Sequence, residues 1–368
     1  MSLQAPRLII SGGGTGGHIF PAVAIANAIK QSHPNAEILF VGAKGKMEMQ
    51  KVPAAGYAIE GLWISGFQRS KLLANVWLPF KIISSFLKAK SIIKKFKPDV
   101  VIGTGGYASW AVMKAAGSLQ IPTVIQEQNS FAGKTNMNLA KNAALICVAY
   151  EDMDKFFPKE KIRLTGNPIR LDIQNLSGKK QRGLEFFKLD ENKKTILVIG
   201  GSLGARTINE AIANLLPQIK EKGYQLIWQT GTGYFIKAKE ATAPYEANNM
   251  FSFDFVTKMD LAYSVSDVVI SRAGASSVSE LCCVKKASIL IPSPNVAEDH
   301  QTQNAMALVN HKAAILVKDV EAREKLGAAL FELLENPELK AQLENNISKL
   351  AYNNASEVIA NEIIHLIK

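Results

Sequence analysis

Short apolar runs recur along this chain, and longer stretches of mixed character fill the intervals between them. Leu8-Ile9-Ile10 and the segments 37–41, 100–103, 123–125 and 145–148 are the first set, each bounded by polar or glycine-containing turns. Runs this short and this uniformly apolar predict strands covered on both faces, with helices in the amphipathic or mixed stretches between them. Such alternation leads to a parallel sheet with right-handed crossovers. The pattern pauses at Thr165-Gly-Asn-Pro168, because an Asn-Pro pair favours a turn and breaks a helix, and a polar, basic stretch from Gln174 to Arg182 follows. It restarts with 194–199, and 225–228, 268–270, 288–291 and 314–317 complete a second set of strands. From Glu321 to Lys368 the pattern predicts helix throughout. The chain's 368 residues suit two domains of ordinary size. Their expected bounds are 1–168 and 169–354, with a last helix at about 355–368 able to pack on either.

The turns that close these strands carry the candidate chemistry. After the first strand comes Ser11-Gly-Gly-Gly-Thr-Gly-Gly-His18, a glycine-rich turn opening a helix, where backbone N–H groups face an anionic or oxygen-rich ligand. Gly12, Gly14 and Gly17 also meet the dinucleotide-binding spacing. That fingerprint needs a carboxylate at the end of the second strand, where this chain reads Val41-Gly-Ala-Lys44, so a nicotinamide or flavin enzyme loses ground. His18 reads either as a catalytic or acceptor-facing group or as a surface histidine capping the turn. Gly103-Thr-Gly-Gly-Tyr-Ala-Ser109 repeats the strand-to-helix glycine turn, and Gln126-Glu-Gln-Asn129 closes the next strand, either facing a ligand or forming a solvated turn. In the second half, Gly200-Gly-Ser-Leu-Gly-Ala-Arg206 is a third such turn. Ser271-Arg-Ala-Gly-Ala-Ser-Ser-Val-Ser-Glu280 then places a helix N-terminus suited to a diphosphate, with Glu280 one turn further in to accept from a ribose diol. Glu298, Asp299, His300, Gln301 and Asn304 crowd a loop-to-helix junction of sugar-binding character.

Composition narrows this picture. Hydrophobic residues make up 47% and charged residues 20%, as in a soluble globular protein, while the formal net charge is +11. The charge is concentrated: Arg69, Lys71, Lys81, Lys88, Lys90, Lys94, Lys95 and Lys97 lie in a window from Glu60 to Asp99 that holds no other acidic residue. On a helix spanning 72–96, Leu73, Trp77, Phe80, Ile83, Ile93 and Phe96 would share an apolar side. That helix is either a core-packing element with a solvated basic face or a surface that docks on an anionic membrane. Nucleic acid would attract the same charge, but no aromatic stacking platform or recognition motif accompanies it. Cys147, Cys282 and Cys283 form neither a metal-ligand spacing nor a disulfide framework. Asp152-Met-Asp154 reads as the start of a surface helix rather than as a metal site. Neither a leader segment nor a membrane span is expected, and the protein is placed in the cytoplasm.

Gly12-Gly-Gly-Thr-Gly-Gly-His18, Gly103-Thr-Gly-Gly-Tyr107, Glu127-Gln-Asn129, Gly166-Asn-Pro-Ile-Arg170, Gly200-Gly-Ser-Leu-Gly-Ala-Arg206, Arg272-Ala-Gly-Ala-Ser-Ser-Val-Ser-Glu280 and Asp299-His-Gln-Thr-Gln-Asn304 occur in that order. Together they resemble the MurG family, the bacterial N-acetylglucosaminyltransferases that convert lipid I to lipid II in peptidoglycan synthesis. The resemblance runs from about Leu8 to beyond Ala305. It implies a GT-B architecture: two Rossmann-like parallel-sheet α/β domains facing an inter-domain cleft, the first meeting acceptor and membrane and the second binding the UDP-sugar. The final helix is expected to return to the N-terminal domain. Carried over motif by motif, the donor site comprises Thr15, Gly16, Gly17, Asn129, Arg170, Ser202, Val256, Ala275, Ser276, Ser277, Val278, Ser279, Glu280 and Gln301. In this reading Glu280 holds the uridine ribose, Val256 meets the uracil through its backbone, and Ser202 and Arg170 approach the diphosphate. His18, Tyr107 and Glu127 fall on the acceptor side, and Leu73, Trp77, Phe80 and Ile83 face the membrane. Leu203 departs from the family pattern, where related loops often carry glutamine, and this puts one polar contact to the donor in doubt.

The resemblance implies that UDP-N-acetylglucosamine (UDP-GlcNAc) gives its sugar, with inversion, to the muramyl 4-hydroxyl of undecaprenyl-linked lipid I. Such a reaction needs a base on the acceptor hydroxyl and neutralisation of the departing UDP. An imidazole, with an ordinary pKa of about 6.5, suits the first task, so His18 is the expected base with Glu127 as competitor or partner. Helix N-termini and Arg170 suit the second without metal or cofactor. The expected partners are UDP-GlcNAc, lipid I and the cytoplasmic face of the membrane, where the protein would sit peripherally; nucleic acid is not expected. A transferase acting on diacylglycerol, a dinucleotide-dependent oxidoreductase and a non-catalytic lipid- or nucleic-acid-binding protein stand as alternatives.

Overall fold

The computed structural model describes residues 5–66, 76–201 and 204–367. Backbone contacts divide the chain into one unit of Met1–Ile169 with Asn354–Lys368 and a second of Arg170–Asn353. In the first unit, β1 (Arg7–Gly12), β2 (Glu37–Ala43), β3 (Ala58–Leu62), β4 (Val100–Gly105), β5 (Thr123–Glu127), β6 (Leu145–Val148) and β7 (Ile162–Leu164) form one sheet. Every pairing is parallel, in the order β3-β2-β1-β4-β5-β6-β7. The strand order therefore reverses between β1 and β4, so the turns after these two strands leave the same carboxyl edge at a topological switch point.

Helices α1 (Gly16–Ser32), α2 (Glu48–Ala54), α3 (Leu78–Phe96), α4 (Tyr107–Ser118) and α5 (Lys134–Ala140) cover this sheet. Leu8 and Ile10 of β1 pack into one buried layer with α1, and Ile9 points into the opposite layer with α3 and α4, as the two-residue period of a strand requires. The C-terminal helix Ala355–His365 belongs to the α1 layer, where Ile359, Ala360, Ile363 and Ile364 bury beside Ala22, Ala26 and Ile29. Alanines on α1 let the two helices approach, and each isoleucine taken out of water contributes roughly 1.5–3 kcal/mol.

The second unit repeats the plan with β8 (Thr195–Ile199), β9 (Gln225–Gln229), β10 (Met250–Phe253), β11 (Val268–Ser271), β12 (Ser288–Leu290) and β13 (Ile315–Leu316). These are again all parallel, in the order β10-β9-β8-β11-β12-β13. Its switch point lies between β8 and β11, which places the turns after Ile199 and Ser271 on one edge.

Several elements differ from the sequence-based expectation. The strands β3, β7 and β10 were not predicted, and all three lie at sheet edges, where a half-exposed strand carries Glu60, Arg163 or Ser252 and loses its apolar signature. The helical tail is interrupted: Asn336 caps a new helix, accepting from the Leu339 N–H at 2.9 Å with Pro337 in its first turn, and residues 349–354 separate that helix from the last. Asp152-Met-Asp154 is not the start of a surface helix, because only a single 3-10 turn, Met153–Lys155, forms, with Met153 buried.

The grouping of apolar residues on α3 is also corrected. Ile93 is buried against the sheet side and Phe96 is partly buried there, whereas Trp77 and Phe80 are 59% and 61% exposed, with Ile83 and Leu87 exposed in line with them. The helix thus bears apolar residues on two opposite sides, an inner one with Ala89 and Ile93 beside Ser85, whose buried hydroxyl donates to the Trp63 carbonyl at 3.0 Å, and an outer one that begins just before it at Trp77. Leu73 lies outside the described residues.

Candidate functional site

In the first unit the turns after β1 and β4 interlock. Thr15 is the extended residue that opens α1, Gly16 and Gly17 form its first turn, and His18 follows, its N–H donating to the Thr15 carbonyl at 3.2 Å. The Gly13 N–H donates to the Gly105 carbonyl at 3.3 Å, and Thr104 Oγ1 donates to the His18 carbonyl at 2.8 Å. A side chain at Gly105 would meet the His18 ring at 2.8 Å, and one at Gly106 would meet the Gly13 carbonyl oxygen at 2.5 Å. Both glycines have positive φ, so only glycine permits the approach that seats the imidazole. His18 Nδ1 lies 3.0 Å from the Gly13 carbonyl oxygen and 3.3 Å from Thr15 Oγ1. The Tyr107 ring, at the start of α4, fills the space above Gly66 and stays exposed.

Glu127, at the end of β5, is 1% exposed and accepts four hydrogen bonds. The Asn129 N–H and the Gly133 N–H reach it at 3.0 Å, Asn136 Nδ2 at 2.8 Å and Asn129 Nδ2 at 3.2 Å. A carboxylate so engaged organises the turn that carries Asn129. Beneath it lies a buried amide network: Gln126 Nε2 donates to Asn167 Oδ1 at 3.0 Å, Asn167 Nδ2 to the Gln128 carbonyl at 2.8 Å and Gln128 Nε2 to the Thr104 carbonyl at 2.8 Å. Each amide satisfies what burial would otherwise leave costly.

One acidic residue of this edge escaped the sequence reading. Glu48, in the first turn of α2, is fully buried and turns back to the end of β2, accepting the Ala43 N–H and the Gly14 N–H, each at 3.0 Å. A carboxylate does therefore stand beside the glycine turn, but both its oxygens are occupied by the chain's own N–H groups, unlike the ribose-binding carboxylate of a dinucleotide site. Glycine at positions 13 and 42 makes room for it, since a side chain at either would come within 2.2 Å and 2.5 Å of Glu48.

In the second unit, Gly274 precedes the helix Ala275–Val284, and the first intrahelical bond runs from the Val278 N–H to the Gly274 carbonyl at 2.9 Å. The N–H groups of Ala275, Ser276 and Ser277 stand outside that ladder, and the buried Ser276 hydroxyl has no hydrogen-bond partner among the described residues. Val278 packs into the core, and Ser279 is partly buried on the same helix. Glu280 accepts from Tyr263 Oη at 3.1 Å and pairs with Arg170 Nε at 3.4 Å. Burial raises the Glu280 carboxyl above the ordinary carboxylate range, against the pull of Arg170; burial also raises the Tyr263 hydroxyl, with the Glu280 charge adding to it.

Around this helix the neighbouring turns are tied down. Gln229 Oε1 accepts the Val256 N–H at 2.9 Å, so a backbone contact from buried Val256 to a ligand is left to its carbonyl. Gln301 Oε1 accepts the Ser293 N–H at 2.9 Å, bracing the loop before its helix. Arg272, whose role the sequence left unread, donates to the Ile291 carbonyl at 3.0 Å and the Pro292 carbonyl at 3.1 Å. It also pairs with Asp319, which accepts from Thr207 Oγ1 at 2.9 Å. Ser202 and Leu203 lie outside the described residues; Gly204 of the same turn has positive φ and presses on the Thr230 carbonyl.

Comparison with known proteins gives these edges a context. The Glycosyltransferase family 28 N-terminal domain matches residues 8–148, and the Glycosyltransferase family 28 C-terminal domain matches residues 195–361. A protein of Phocaeicola vulgatus named UDP-N-acetylglucosamine--N-acetylmuramyl-(pentapeptide) pyrophosphoryl-undecaprenol N-acetylglucosamine transferase is 55% identical over 361 residues, 98% of this chain and 96% of that one. A relative of the same name from Flavobacterium psychrophilum is 53% identical over 367 residues, covering 100% of this chain and 99% of its own. Among solved structures, Acinetobacter baumannii MurG superposes with a TM-score of 0.78 at 28% identity, covering 98% of this chain and 99% of that one.

Proposed function

The chain belongs to the UDP-N-acetylglucosamine--N-acetylmuramyl-(pentapeptide) pyrophosphoryl-undecaprenol N-acetylglucosamine transferases, within glycosyltransferase family 28, and on that premise we propose how its residues divide the reaction. It moves N-acetylglucosamine from UDP-GlcNAc to lipid I, forming lipid II. The oxidoreductase and non-catalytic alternatives fall away with that membership.

The observation that carries the division of labour is the helix Ala275–Val284. Three first-turn N–H groups, a buried serine hydroxyl and a carboxylate one turn later together complement a nucleoside diphosphate. In this reading the diphosphate lies at Ala275, Ser276 and Ser277. The ribose hydroxyls donate to Glu280, which Tyr263 and Arg170 hold in place. The Val256 carbonyl accepts from the uracil N3–H. Negative charge that develops on the departing UDP is met by the helix N-terminus and Arg170.

On the first unit, His18 takes the proton of the acceptor hydroxyl as the new C1–O bond forms and the C1–O bond to UDP breaks, with inversion. Glu127 acts beside it by ordering the turn that presents Asn129, because its oxygens are already engaged by four N–H groups. Thr15, Gly16, Gly17 and Tyr107 shape the rim around the imidazole.

The outer face of α3 is the proposed membrane contact. Trp77, Phe80, Ile83 and Leu87 are exposed in line, with Lys90 and Lys94 near them. Exposed large apolar side chains beside lysines suit the interface of an anionic bilayer, where each basic group contributes about 1 kcal/mol. No helix among the described residues is long and apolar enough to cross a membrane, and peripheral attachment on the cytoplasmic face fits this.

Incubation with labelled UDP-GlcNAc and a short-chain lipid I analogue tests the reading. Labelled lipid product with one free UDP per transfer is expected; transfer to diacylglycerol instead would contradict it.

A further inference from the structure

Behind the His18 ring stands a carboxylate that reaches it through a single peptide group. The peptide joining Gly13 to Gly14 turns its carbonyl oxygen toward His18 Nδ1 at 3.0 Å, and its N–H donates to Glu48 Oε2 at 3.0 Å. A carbonyl oxygen can only accept, so this contact places hydrogen on Nδ1, and the neutral ring then carries its lone pair on Nε2. The other Glu48 oxygen is tied to the Ala43 N–H, which leaves the side chain no freedom to turn away. The turn after β4 lies close against the same peptide, since a side chain at Gly106 would meet the Gly13 carbonyl oxygen at 2.5 Å.

We propose that Glu48 is a positioning residue for the transfer reaction, holding His18 through the Gly13–Gly14 peptide in the tautomer whose Nε2 accepts the acceptor's proton. The inference rests on the reading of His18 as the base. A negative charge on the N–H side of a peptide polarises its carbonyl, so the acceptor facing Nδ1 is strengthened while it is aimed. Carboxylates that touch a histidine directly orient functional imidazoles in the same way. Here the peptide stands between the two side chains and transmits the constraint.

The test uses the full-length protein labelled with ¹⁵N-histidine, with His18 assigned by loss of its signals in His18→Gln. Wild type is expected to show the Nδ1-protonated neutral ring. Glu48→Gln keeps the side chain's shape but sets an NH₂ group against one of the two N–H donors. This variant should shift the His18 signals toward the Nε2-protonated form and lower kcat by about tenfold or more with KM for UDP-GlcNAc unchanged. An Nε2-protonated ring in wild type overturns the proposal without any variant, so a poorly folding Glu48→Gln leaves it decidable. A folded Glu48→Gln with the wild-type tautomer and wild-type kcat overturns it as well. If His18 is not the base, His18→Ala keeps its turnover while the tautomer measurement is unaffected, so the two failures read differently.

Discussion

Arg170 Nε lies 3.4 Å from the Glu280 carboxylate, and Glu280 is the more deeply buried partner. With Tyr263 donating to its second oxygen, this carboxylate is oriented before any ligand arrives. Hydrogen bonds to a charged group contribute about 1.5–3 kcal/mol each, so Glu280→Gln should weaken UDP binding by roughly 10- to 100-fold in calorimetry. An unchanged Kd would remove Glu280 from the ribose contact.

Burial raises the Glu280 carboxyl, Arg170 and the Tyr263 hydrogen bond oppose that rise, and the charge of Asp172 adds to it. A raised carboxyl takes up its proton at a higher pH than an ordinary carboxylate, and the protonated form loses its charge toward the ribose hydroxyls. Affinity for UDP-GlcNAc, whose diphosphate diester has no proton to gain near neutrality, should therefore fall on acidification while the pH is still above the ordinary carboxylate range. The Glu280→Gln variant should lack this limb. Titrations of both proteins across mildly acidic pH check it, and parallel curves would assign the dependence to another group.

The interlocked glycine turns predict a contrast between two alanine substitutions. Gly106 has φ +89° and a side chain there would meet the Gly13 carbonyl oxygen, so Gly106→Ala should cost roughly 1–3 kcal/mol of stability and depress kcat. Gly117, in α4, has open space around it, and Gly117→Ala should stabilise by roughly 0.5–1 kcal/mol. Thermal unfolding of the two variants side by side distinguishes them; equal melting temperatures would deny the steric role of Gly106.

For the membrane face, replacing Trp77 and Phe80 together by alanine should lower partitioning onto anionic vesicles by about tenfold or more, since each ring buries apolar area worth roughly 1.5–3 kcal/mol. Affinity for UDP should not change. Co-sedimentation with anionic and zwitterionic vesicles measures this, and unaltered partitioning would place the lipid contact elsewhere.

What the sequence made legible followed how strongly each element is forced by burial. The central strands announced themselves because Leu8-Ile9-Ile10 or Val268-Val-Ile270 must be apolar on both faces. The edge strands Ala58–Leu62, Ile162–Leu164 and Met250–Phe253 obey no such demand and were not read, although the edge strand Ile315–Leu316, apolar in both residues, was. The glycine turns and Glu280 were legible because turn geometry and helix N-termini leave local marks. Glu48 was not, because its contacts join α2 to turns near residues 14 and 43, and a pattern read along one segment carries no record of a long-range approach. On α3 the sequence reading assigned the apolar residues to one face, although sixteen positions at about 100° each already set Ile93 and Trp77 on nearly opposite sides; it also left out the exposed Leu87.

The central claim is that the His18 imidazole, seated by the Gly13 carbonyl, removes the acceptor's proton while the second unit holds UDP-GlcNAc. Steady-state kinetics of His18→Ala with UDP-GlcNAc and a lipid I analogue test this most directly. The account predicts a loss in kcat on the order of 10²–10⁴ with KM for UDP-GlcNAc within about threefold of wild type. A kcat near that of wild type would contradict it.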